Sequence, residues 1–109
     1  MIQRSKERIR KTGEVFTPHE LCIQIVRDIP KEKLSNPTTT YLDSSCGDGN
    51  FLCALYQVLT QDYGHTSEKV MDRLYGVELM PDNVEIARAR LPGAHIVCAD
   101  ALTYDYSFT

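Results

Sequence analysis

The chain has 109 residues and a mass of 12.4 kDa, with 42% apolar and 25% charged residues, enough for one hydrophobic core and too little for two. This composition excludes a disordered or collagen-like chain, and no apolar run approaches the roughly 18 residues of a membrane-spanning helix. A net charge of −3 and a pI near 5.5 do not suit a protein that meets nucleic acid with its whole surface.

The charge is unevenly spread. Residues 1–11 hold Arg4, Lys6, Arg8, Arg10 and Lys11 against Glu7, so this head carries +4 and the remaining 98 residues carry −7. It reads either as a solvated terminus or as a phosphate-binding arm. No apolar stretch of signal-peptide type follows it, so a cytoplasmic location is expected. Cys22, Cys46, Cys53 and Cys98 form no C-x-x-C pair and fall in apolar or turn segments, which predicts reduced thiols and no metal site.

Thr17, Pro18 and Glu20 make a helix start, with Thr17 as cap, Pro18 in the first helical position and Glu20 completing a T-x-x-E capping box. Leu21, Cys22, Ile25, Val26 and Ile29 recur at helical spacing until Pro30, predicting a helix over 18–29. Residues 31–40 are polar, contain Asn36-Pro37 and read as a surface loop.

Thr39 to Leu42 has strand character and runs into Asp43-Ser44-Ser45-Cys46-Gly47-Asp48-Gly49-Asn50. Asp48-Gly49 could turn a hairpin. The apolar residues that follow, Phe51, Leu52, Leu55, Val58 and Leu59, have a period of 3.6 rather than 2, which predicts strand, glycine turn and a helix to about Asp62. Gly47 and Gly49 let backbone approach a ligand closely. The third glycine of the dinucleotide fingerprint is replaced by Leu52, and Asp43 adds negative charge, so the turn suits a cationic ligand better than a phosphate.

A short helix over 68–73 precedes a strand over 74–78 that ends in Glu78. That carboxylate is either a strand-end charge in water or an acceptor for ribose hydroxyls. Pro81 opens a further helix whose Val84, Ile86, Ala87 and Leu91 face the core while Glu85, Arg88 and Arg90 stay in water, and Pro92-Gly93 ends it. Ala94 to Cys98 forms a third strand leading to Asp100, and His95 is expected at the surface. Strand, helix, strand, helix, strand gives a Rossmann-like α/β unit, a right-handed parallel sheet of order 3-2-1 with flanking helices. Asp43, Gly47, Gly49, Glu78 and Asp100 gather at the rim where such sheets bind ligands.

These segments, in this order, resemble the N-terminal half of a class I S-adenosylmethionine-dependent methyltransferase, closest to the adenine-N6 DNA methyltransferases of restriction–modification systems and phages. Thr12 to Pro18 resembles the cofactor-contacting F-T-P segment. Tyr41 to Leu52 resembles motif I, Tyr75 to Leu79 motif II, and Cys98 to Leu102 motif III. The resemblance implies S-adenosylmethionine as cofactor, held by Thr12, Phe16, Thr17, Pro18, Asp43, Ser45, Cys46, Gly47, Gly49, Phe51, Glu78, Leu79, Asp100 and Ala101, with Glu78 on the ribose and Asp100 at the adenine amino group. It divides the chain into an arm over 1–17 and a partial cofactor-binding domain over 18–109. The catalytic N-P-P-Y motif of such enzymes, which grips the flipped adenine, does not occur in the 109 residues, so no catalytic residue is assigned and the chain alone is expected to be inactive. The resemblance also leaves the inner strand, 39–42, with an open edge, expected to be covered by a second copy or by a separate polypeptide, and DNA is expected as a partner only once the missing half is supplied. Other readings are a stand-alone cofactor-binding or assembly protein without catalysis, and a fragment of an RNA or protein methyltransferase.

Overall fold

The computed structural model describes residues 17–108; the basic head, Thr12 and Phe16 lie outside the described residues. The elements run α1 (His19–Arg27), α2 (Lys31–Leu34), β1 (Tyr41–Asp43), α3 (Asn50–Gln61), α4 (Ser67–Met71), β2 (Leu74–Glu78), α5 (Pro81–Arg90) and β3 (His95–Cys98). The three strands form one parallel sheet in the order β1-β2-β3, the 3-2-1 of the sequence reading counted from the opposite edge.

Register explains the two faces of the sheet. Tyr41 pairs with Leu74, Asp43 with Gly76, and Gly76 with Ile96. Leu74 and Ile96 are buried in the core with Leu52, Leu55, Val58 and Leu59 of α3, Cys22, Ile23 and Val26 of α1, and Val84 and Ala87 of α5. One face of the sheet is therefore packed by helices. On the other face Tyr75 stacks on His95, with ring centroids 4.5 Å apart, and meets Phe108 edge-on at 5.0 Å. Tyr104 packs against Phe108 in turn. Tyr106 and Phe108 hold φ of 58° and 53°, a conformation that costs non-glycine residues energy and that the aromatic contacts offset.

Several sequence expectations change. Thr17 does not cap α1: Pro18 occupies the N-cap, so no capping box forms, and the Thr17 carbonyl instead accepts a hydrogen bond from Asn50 Nδ2 at 3.1 Å. The core face of α1 is Cys22, Ile23 and Val26, while Leu21 and Ile25 are 46% and 44% exposed. The helix carries two adjoining apolar stripes, and only one can face α3. The region read as a loop contains α2, whose polar sequence hides one buried anchor, Leu34. β1 starts at Tyr41 rather than Thr39 because Arg73 claims the preceding backbone: its guanidinium donates to the carbonyls of Thr39 and Asn36. His95 is partly buried, with Nε2 3.0 Å from Asp72 Oδ1. Arg88 is solvent-exposed as expected, yet its guanidinium caps the Ile96 carbonyl. The four cysteines are free thiols.

Gly76 is the tightest point of the sheet-to-helix packing. A Cβ there would lie 2.9 Å from Cys46 Sγ and 3.1 Å from both Cys46 Cβ and Leu52 Cδ1. The substitution Gly76→Ala is expected to destabilise the fold by about 1–3 kcal/mol through overpacking, measured by urea unfolding; an unchanged midpoint would show that the turn after β1 gives way freely.

Candidate cofactor site

The glycine turn is built by three consecutive constraints. Asp43 ends β1, and its Oδ1 accepts the N–H of Ser45 at 3.1 Å, folding the chain back at once. Cys46 then continues the ladder by donating its N–H to the Val77 carbonyl, and Gly49 N–H closes the turn on the Cys46 carbonyl at 2.8 Å. Gly47 and Gly49 have φ of 56° and 94°, so both use the freedom that only glycine has without strain. Asn50 opens α3, whose first-turn N–H groups have no intrahelical acceptor.

Glu78 locks this turn to the next one. Its Oε1 accepts the N–H of Gly47 at 3.1 Å, and its Oε2 accepts the N–H of Met80 at 2.9 Å and Nδ2 of Asn83 at 3.2 Å. Glu78 is 9% exposed and Asn83 fully buried. A carboxylate offers about four acceptor positions; three are filled, which leaves room for one further donor such as a single ribose hydroxyl.

A cavity of about 380 Å³ opens between the turn and α1, a size within the usual range for small-molecule sites. Thr17, Asp43, Ser45, Cys46, Gly47 and Phe51 of the sequence-derived set line it. So do Cys22, Ile25, Leu42, Ser44, Asp48 and Asn50, which sequence reasoning did not assign to the site. Ile25 and Leu42 were read as core and strand residues because their spacing fits an amphipathic element; their exposure is the signal of a second role, and it appears only in three dimensions. Pro18, Gly49, Glu78, Leu79, Asp100 and Ala101 do not line the cavity. Gly49 faces away, toward Ala87 and Leu91 of the α5 end. Leu79 is 56% exposed, and its carbonyl accepts Cys98 Sγ. Asp100 follows the carboxyl end of β3, on the same rim as Asp43 and Glu78, but its Oδ1 accepts the N–H of Leu102 and it organises the turn there.

The electrostatics of the cavity favour a cation. Burial pushes the Asp43 carboxyl above the ordinary carboxylate range, the nearby Glu78 charge pushes it further, and the Ser45 N–H opposes only part of this. The Cys46 thiol is pushed up to about 12 by burial, with Asp43 and Glu78 adding to it. A positive group in the cavity would relieve both. Among the described residues no cluster suited to a metal ion occurs, and no helix is long and apolar enough to cross a membrane.

A raised native pKa means that the folded chain holds the Asp43 proton more tightly than the unfolded chain does, so ionisation of Asp43 weakens the fold as pH rises through that pKa. Asp43→Asn is therefore expected to gain stability relative to the native chain between acid and neutral pH, in the absence of ligand. Urea unfolding at a series of pH values reads this directly, and a difference that stays flat with pH would place Asp43 in water.

A search of curated proteins returned no match. The family described as N-6 DNA methylase matches residues 1–103, which takes in the F-T-P segment, the glycine turn, the Glu78 strand end and the turn after β3. The chain thus belongs to the N-6 DNA methylase family.

Proposed function

We propose that this chain is the S-adenosylmethionine-binding portion of an adenine-N6 DNA methyltransferase, an incomplete class I methyltransferase fold. The observation that carries this reading is the partly buried carboxylate of Asp43 in a cavity of about 380 Å³, raised by burial and by Glu78 and without a cationic partner among its hydrogen bonds. The residues fit the cofactor in kind. Asp43, with the hydroxyls of Ser44 and Ser45, would meet the positively charged amino acid part; Ile25, Leu42 and Phe51 would cover its apolar atoms. Glu78 would take a ribose hydroxyl with its remaining acceptor position, and Asp100, on the neighbouring strand end, would face the adenine amino group. When bound, S-adenosylmethionine supplies an electrophilic methyl group on a sulfonium.

The protein's own contribution is to hold and orient. The glycine turn presents backbone without side chains, α1 and Phe51 exclude water, and the carboxylates stabilise positive charge. The groups that would grip the target adenine are not among these residues, so the chain binds and the N-P-P-Y motif, supplied from elsewhere, completes the transfer. β1 pairs only with β2 among the described residues, and the same reading assigns its open edge to the polypeptide that carries that motif, or to a second copy. The basic head would then reach DNA phosphates.

Isothermal titration of the purified chain with S-adenosylmethionine and with its demethylated product tests this. Binding of both is expected, and Asp43→Ala is expected to weaken it by about 1–3 kcal/mol, roughly 5- to 150-fold. Glu78→Ala is expected to weaken it as well, with a loss of stability because the Gly47 and Met80 N–H groups lose their acceptor. Absence of heat, or unchanged affinity in Asp43→Ala, would contradict the reading.

A further inference from the structure

The glycine turn is held from behind by the end of α5. A Cβ on Gly49 would lie 3.1 Å from Leu91 Cδ1 and 3.4 Å from Ala87 Cβ, so turn and helix are in direct contact. Arg90, the last residue of α5, reaches over this contact. Its Nη1 donates to the Asp48 carbonyl at 2.9 Å and to Asn50 Oδ1 at 2.8 Å, and it lies 3.5 Å from the Asp48 carboxylate. The Asp48 side chain is only 5% exposed, and a charge so buried needs a partner. Asn50, fixed at its oxygen by Arg90, donates from its nitrogen to the Thr17 carbonyl. One guanidinium thus joins Asp48 and Asn50 and, through Asn50, Thr17, and all three line the cavity.

We propose that Arg90 is a positioning residue for the cofactor, setting the shape of the glycine turn and the seating of the α1 entrance against it; this rests on the cavity being the S-adenosylmethionine site. Asp43, Glu78 and Asp48 all act on the Cys46 sulfur, so three carboxylates crowd one turn. Arg90 neutralises the one that is buried against α5 and leaves Asp43 to face the ligand. Without it, Asp48 repels the other two, the turn opens, and Asn50 loses the contact that aims its amide at Thr17. Arg90 is solvent-exposed as expected, yet it holds partners that lie 40 and 42 residues away in sequence.

Two measurements on the full chain test the role: amide hydrogen exchange without ligand, and titration with S-adenosylmethionine. Arg90→Met is expected to speed exchange at Gly47 and Gly49 about tenfold or more, with Val58 and Leu59 in α3 little changed, and to weaken binding about tenfold or more. Arg90→Lys, which keeps a cation with several donors, is expected to restore most of the affinity, and Asp48→Asn added to Arg90→Met to restore part of it. Native exchange at the turn in Arg90→Met, or native affinity, overturns the proposal. Uniform acceleration through the whole core in both Arg90 variants also overturns it, marking a general fold contact. If the unaltered chain takes up no S-adenosylmethionine, the cofactor reading fails and the binding role with it, while the exchange comparison still decides whether Arg90 holds the turn.

Discussion

The Glu78 carboxylate is the contact on which the arrangement depends. It sits at the end of β2 and accepts from Gly47 in the turn after β1 and from Met80 and Asn83 at the start of α5. Parallel strands make no hairpin, so beyond the ladder bond from Cys46 N–H to the Val77 carbonyl their loops need a further tie. A buried carboxylate that accepts from both sides does that work, and losing it would take the acceptor from the Gly47 and Met80 N–H groups at the joint. The cavity, the aim of Asp43 and the approach of α1 all follow from where this acid puts Gly47.

A second clamp acts on the same turn from the opposite side. Gly49 packs on Ala87 and Leu91, and Arg90 covers the joint. The turn is therefore held by β2 through one of its glycines and by α5 through the other, and the cavity opens on the side left free, toward α1. That division accounts for the glycine spacing better than ligand contact alone: Gly47 is needed where the chain faces the cavity, Gly49 where it faces a helix.

Much of this was legible in the residues. The period change after Gly49 located α3, the strand ends at Asp43, Glu78 and Cys98 were marked by carboxylates or turn residues, and the motif order identified the family. What stayed hidden was long-range or weakly patterned. α2 is four residues with one apolar anchor, too short for periodicity. The two apolar stripes of α1 are equally hydrophobic in sequence, and only the position of α3 decides that Ile23 is buried and Ile25 lines a cavity. The Arg73 contacts to Thr39 and Asn36 and the Arg90 contacts to Asp48 and Asn50 join residues more than 30 positions apart, and an arginine near a helix end ordinarily reads as a solvated charge. Asp100 was placed on the rim by topology, but topology does not say that one oxygen of its carboxylate accepts from the following turn.

The glycine turn, clamped by Glu78 and α5, is proposed as the place where S-adenosylmethionine is held. Two-dimensional amide NMR of the ¹⁵N-labelled chain during titration with S-adenosylmethionine tests it most directly. The resonances of Ser44 to Phe51 and of the start of α1 are expected to shift together and saturate, while those of α4 stay in place. Shifts that spare the turn, or none at any ligand concentration, would contradict it.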